Sequence, residues 1–154
     1  MTRVVTIHWS PEVEFHALEK APVNEGNGIY MILEQGFRQQ RPEQYRGKAK
    51  ELIYIGIVKS EFRSMFKRIQ EHRAKWLNEI AGDQIFVRFG RLESALKITP
   101  QLIEDAESAL VFEHQPSENW MKKEGYTIAR DLVVHNRHHG GYLKNTIRTS
   151  DHTG

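Results

Sequence analysis

Two short apolar runs, each carrying a tyrosine and a glycine, constrain the fold more than any other feature of the chain. Residues 28–33 read Gly-Ile-Tyr-Met-Ile-Leu, and residues 52–58 read Leu-Ile-Tyr-Ile-Gly-Ile-Val. Apolar runs of this length, bounded by polar and glycine-rich segments, are strand signals. Laid side by side, two such strands bring Tyr30 and Tyr54 together with a glycine beside each. A glycine, lacking a Cβ, lets another chain or a ligand approach the backbone closely. Taken singly, a tyrosine in an apolar strand is most often a core residue. The residues that follow give the pair a chemical meaning.

Downstream, Arg68 and His72 stand four apart in Arg-Ile-Gln-Glu-His, and Glu107 precedes Asn119 by twelve positions with Pro116 between them. The ordered set, Gly-Ile-Tyr, Tyr-Ile-Gly, Arg-x-x-x-His, then Glu followed by Pro-x-x-Asn, resembles the GIY-YIG nuclease family. The resemblance runs over residues 28–119, about three fifths of the chain. Each motif is weak alone, and all of them in order are specific. The resemblance implies an α+β fold, with a small, mainly antiparallel three- to four-stranded sheet flanked by helices. It also implies nuclease activity, with one Mg²⁺ (or Mn²⁺) on Glu107. Two departures stand out: the segment between the two tyrosine motifs is longer than is usual in the family, and Ile57 and Val58 follow Tyr-Ile-Gly where relatives often carry a polar or basic residue. Lys59 is the nearest cation to that place.

The chain has 154 residues, a size expected for one domain with its own core. The motif region is then preceded by an N-terminal extension (1–27), interrupted by a basic insertion (35–50) and followed by a C-terminal extension (120–154). With no cysteine there is neither a disulfide nor a thiolate metal site. No apolar stretch approaches bilayer length and the first residues lack a signal peptide's apolar region, so a cytoplasmic protein is expected. The net charge of +2 is small, and its distribution says more than its sum. Between Phe37 and Lys50, Arg38, Arg41, Arg46, Lys48 and Lys50 face only Glu43. That composition suits either a solvated loop or an arm lying on a polyanion, and loops this long are typically functional or disordered.

Residues 3–9 read as a short strand, and Ser10 before Pro11 reads as a helix start running to about residue 20. Ser60 opens another helix, on which Phe62, Met65, Phe66, Ile69, Trp76, Leu77 and Ile80 form an apolar stripe with Arg68 and His72 on one flank. Residues 84–92 alternate as a strand, Ile85, Val87 and Phe89 facing one way and Phe86 and Arg88 the other. Thr99 and Pro100 repeat the cap-then-proline signal for a helix reaching about His114, with Leu102, Ile103, Ala106, Ala109 and Leu110 as its buried stripe. Glu107 lies at the border of that stripe, where a carboxylate is desolvated and costly unless paired or bound to a metal. Glu104 and Glu113 read as solvated charges. A further strand is expected at 127–135, and the histidines at 138 and 139 lack a third ligand for zinc. Lys122, Lys123 and Arg137 join the basic residues expected to meet nucleic acid.

Phosphodiester hydrolysis needs a nucleophilic water, neutralisation of the phosphoryl oxygens and help for the leaving oxygen. A hard divalent cation with one or two carboxylates meets part of that need. Arg68 suits a forked grip on phosphate, and Tyr30 with His72 suits proton acceptance from the water. Tyr54 orients the water or phosphate, and Asn119 braces its neighbours. The expected function is a Mg²⁺-dependent DNA endonuclease similar to small restriction enzymes of the family. A homodimer would cut both strands of a duplex symmetrically. The rival reading is a catalytically silent nucleic-acid-binding module, and a third is a protein-interaction domain.

Overall fold

The computed structural model describes residues 2–15, 28–35, 50–58, 85–119 and 131–151. The expected helix bearing Arg68 and His72 lies outside these residues. So do the insertion cations Arg38, Arg41, Arg46 and Lys48, as well as Lys59, Lys122 and Lys123.

The chain is α+β, and its sheet is mixed and larger than the small antiparallel one expected. Strands β3 (Gly28–Gln35) and β4 (Lys50–Val58) pair antiparallel from Gly28 opposite Val58 to Gln35 opposite Lys50. One irregularity interrupts them: Ile32 faces Tyr54 but Leu33 faces Leu52, so Ile53 is an extra residue on β4. On the other side of β3 runs β5 (Ile85–Glu93), followed by β1 (Arg3–Trp9), β6 (Leu132–Arg137) and β7 (Thr146–Arg148). A two-residue strand β2 (Val13–Glu14) also pairs with β5, completing seven strands in the order β4-β3-β5-β1-β6-β7 with β2 off the path. All pairs are antiparallel except β1 with β6. The two extensions are therefore sheet strands, and the N-terminal one lies in the middle. Local alternation identifies a strand but not a partner more than a hundred residues away, which is why the sheet size was underestimated.

The Ser10–Pro11 helix start is likewise overturned for residues 10–14. Ser10 N–H donates to the Phe89 carbonyl (2.7 Å), and the Ser10 hydroxyl accepts from Phe89 N–H (2.9 Å). The hydroxyl stands in for a backbone acceptor at a kink beside proline, and the chain resumes pairing as β2. An open ladder on β5 satisfies more backbone groups than a helix cap does.

Helix α1 (Pro100–His114) forms where its signals place it. The Thr99 hydroxyl accepts from Leu102 N–H (3.1 Å), Pro100 occupies the first turn, and Gln115 closes the helix in the left-handed region (φ 50°) before Pro116. Leu102, Ala106, Ala109 and Leu110 pack on one face of the sheet against Val5, Ile7, Ile29, Met31, Leu33, Ile55 and Val134. Gly90 lets β5 pass close beneath that core: a Cβ there would stand 2.6 Å from Ile29 and 2.7 Å from Ile7. Arg3 ties three elements together, pairing Asp105 on α1 (3.1 Å) and Asp131 before β6 (3.0 Å). Its guanidinium holds the Asp131 carboxyl below the usual range. Among the described residues, no helix is long and apolar enough to cross a membrane.

Candidate functional site

The antiparallel register of β3 and β4 sets Tyr30 opposite Gly56 and Ile32 opposite Tyr54. Tyr30 and Tyr54 are thus diagonal neighbours on one face, the pair that long side chains can bridge. Their ring centroids are 6.2 Å apart with planes inclined by 30°. Gly56 makes this arrangement possible. A Cβ at that position would stand 2.5 Å from Cζ of Tyr30 and 2.7 Å from Cε1 of Tyr54. The glycine of the second motif is therefore the floor on which the tyrosine of the first one lies. Tyr30 is fully buried and Tyr54 half-buried.

The face that Tyr30 and Tyr54 share is the one turned away from α1. Ile29, Met31, Leu33 and Ile55 belong to the core beneath the helix, and Tyr30 and Ile32 alternate with them. Across β5 the same alternation puts Val87 and Phe89 beside Ile32 and Tyr30.

Asn119 acts on the backbone between the second tyrosine and its glycine. Its Oδ1 accepts from Ile55 N–H (2.9 Å), and its Nδ2 donates to the Ile55 carbonyl (2.8 Å). Next to it, Glu118 N–H donates to the Ile53 carbonyl (2.7 Å). Since β4 is a sheet edge among the described residues, residues 118–119 act as a short substitute strand, and the amide copies a backbone donor–acceptor pair. The bracing expected of Asn119 is thus directed at Ile55.

Glu107 lies on the buried side of α1, 8 % exposed, between Ala106 and Ser108. The structure therefore gathers Tyr30, Tyr54 and Asn119 around residues 54–56, and buries Glu107 on the helix that leads to Asn119. Among the described residues, no group of three or more histidine, aspartate or glutamate side chains is arranged to hold a metal. Arg137 is exposed at the end of β6. Glu113 is not the free surface charge expected, since it pairs with Lys144.

His139 and His114 serve the backbone. His139 Nδ1 accepts from Gly141 N–H (3.1 Å) and Leu143 N–H (3.2 Å), and its Nε2 meets Asn145 Oδ1 at 2.7 Å. His114, at the end of α1, receives Lys144 N–H on Nε2 (2.9 Å) and contacts the Leu110 carbonyl through Nδ1 (2.9 Å). Burial, chiefly, pushes the His114 pKa below its ordinary value. Sequence reasoning also missed Asn136, whose Oδ1 accepts from Trp9 Nε1 (3.0 Å) and whose Nδ2 donates to the Lys144 carbonyl (2.8 Å). Nothing local marks that residue, because both partners are distant or in a turn.

Comparison of the chain with protein-family models, with curated proteins and with solved structures finds no match.

Proposed function

We propose that the chain is a Mg²⁺- or Mn²⁺-dependent endonuclease that hydrolyses phosphodiester bonds in DNA, of a restriction-like kind. The observation that carries this reading is the tyrosine pair: two rings side by side over Gly56, with Asn119 clamping Ile55 between them. A strand pair built only for packing has no need of a glycine under one phenol and a side-chain clamp on the adjacent edge. Glu107 adds a carboxylate on the buried side of α1, 8 % exposed. One carboxylate with several waters fits a hard divalent ion, which keeps much of its hydration.

When bound, such an ion supplies charge neutralisation at the phosphoryl oxygens and at the leaving oxygen. The remaining work falls to side chains. Tyr54, with part of its surface exposed, orients the water or the phosphate. Tyr30, shielded beneath, accepts the water's proton with help from His72. Burial raises a phenol's pKa above its normal value of about 10, so this role depends on nearby positive charge. Arg68 supplies that charge and grips the phosphate in a forked geometry. Asn119 keeps the edge of β4 from yielding as substrate binds.

A second reading, a nucleic-acid-binding module without catalysis, is favoured by the complete burial of Tyr30. Plasmid incubated with Mg²⁺ and with EDTA separates the two. Cleavage with Mg²⁺ alone is expected, and Glu107→Gln is expected to abolish it while DNA binding persists, since a neutral amide is a weaker ligand for a hard cation. Full activity in that variant removes Glu107 from the metal site. Intact plasmid under both conditions, with DNA bound, selects the module.

A further inference from the structure

The face that carries Tyr30 and Tyr54 continues across β5, β1, β6 and β7, and there its character changes from apolar to basic. The registers set Arg91 opposite His8, and His8 opposite Arg137, in one row across three adjacent strands. The row alternates with the core-facing Ile7, Leu92 and Asn136, so it projects from the side away from α1. Two residues along, Glu93, Thr6 and His135 form the next row, and beyond it Arg148 stands opposite Val133. Arg91, Arg137 and Arg148 are all exposed, and none of them makes an ion pair among the described residues. Glu93, the acidic residue among these rows, is itself engaged by His8 at 3.3 Å.

We infer that this half of the sheet is a docking surface for the phosphate backbone of duplex DNA, continuous with the tyrosine pair. The inference rests on the endonuclease reading for the direction from which DNA arrives, and on charge complementarity for the occupant. Neighbouring strands lie about 4.8 Å apart, so Arg91 and Arg137 are anchored roughly 10 Å from one another. That separation falls between the widths of the minor and major grooves, about 6 and 12 Å. With the reach of two long side chains, the pair spans phosphates on opposite sides of one groove. Arg148 extends the same surface along the strands. Arginine suits this task because its planar fork meets phosphate oxygens in pairs. Such contacts fix the register of the duplex without reading its sequence, which leaves a scissile phosphate to be presented over Tyr54. A duplex also has one charge per about 1.7 Å of axis, so a face with three exposed arginines is matched by several phosphates at once.

Each neutralised phosphate releases counterions, and the dependence of log affinity on log salt steepens by roughly 0.9 per contact. The test is the binding of a short duplex in EDTA, where no cleavage intervenes, by wild type and by Arg91→Ala/Arg137→Ala/Arg148→Ala. The triple variant is expected to flatten the salt slope by about two to three units, so that its affinity deficit shrinks roughly fortyfold between about 50 and about 200 mM salt. Each single variant is expected to flatten it by about one unit, so the outcome does not depend on the triple variant folding. Wild-type slope and affinity in all these variants overturn the inference. A wild-type protein that binds duplex with this salt dependence but never cleaves it sinks the endonuclease reading and leaves the surface standing. Cleavage by wild type together with unchanged binding in the variants does the reverse. A wild-type protein that binds no DNA overturns both.

Discussion

Asn119→Ala removes the clamp on the edge of β4, and the structure permits an estimate of the cost. Both amide atoms are used, at 2.9 and 2.8 Å, on the N–H and carbonyl of Ile55, a residue whose side chain is fully buried. Alanine leaves that donor and that acceptor without their partner. A buried polar group stripped of its hydrogen bond costs about 1–3 kcal/mol. An edge strand lets water reach in and recover part of this, so roughly 2–4 kcal/mol is expected for the two groups together. Asn119→Asp keeps the acceptor for Ile55 N–H but sets a carboxylate against the Ile55 carbonyl, and is expected to be no more stable than alanine at neutral pH. Urea unfolding followed by circular dichroism measures both, with the midpoint falling and the slope unchanged. A loss within about 0.5 kcal/mol for Asn119→Ala, the range of ordinary surface substitutions, would refute the clamp.

The other expectations concern the floor of the tyrosine pair and the end of the helix. Gly56→Ala drives a methyl into the rings of Tyr30 and Tyr54. It should destabilise the fold by about 1–3 kcal/mol in the same urea assay, and a neutral result would mean the rings lie elsewhere. His114 has a folded-state pKa below its ordinary 6.5, so the unfolded chain binds the proton more readily. Its contribution to stability is therefore present in full above about pH 6.5 and is lost as pH falls below it. His114→Gln should lose less stability than wild type between about pH 7.5 and about pH 5.5, and equal losses would show that the ring's protonation is not felt.

Much of the local structure was legible because its causes are local. Thr99, Pro100 and Pro116 delimit α1 by capping and by proline's missing N–H, and these act within one turn. The alternation of Ile85, Val87 and Phe89 with Phe86 and Arg88 holds as read, because a strand's period of two is a property of the backbone. The pairing of the two tyrosines also followed from sequence, since two apolar strands on either side of one connection are natural antiparallel neighbours. Where local signals competed with a distant partner they misled. Ser10 and Pro11 carry a helix cap's chemistry, yet the open N–H and carbonyl of Phe89 recruited them into the sheet.

The sequence by itself determined that residues 3–9, 28–33, 52–58 and 84–92 run as strands and where α1 begins and ends, and it singled out Tyr30, Tyr54, Glu107 and Asn119 as candidates. Only the tertiary structure decided what Asn119 holds, because its partner is the backbone of Ile55, which any residue there would present alike. It also decided that β1 lies parallel to β6 between the two halves of the sheet, and thereby that Arg91, His8 and Arg137 stand in one row. Those three residues come from the beginning, middle and end of the chain. A charge pattern is visible in sequence only when its members are neighbours along the chain, and here hydrogen-bond register alone makes them neighbours.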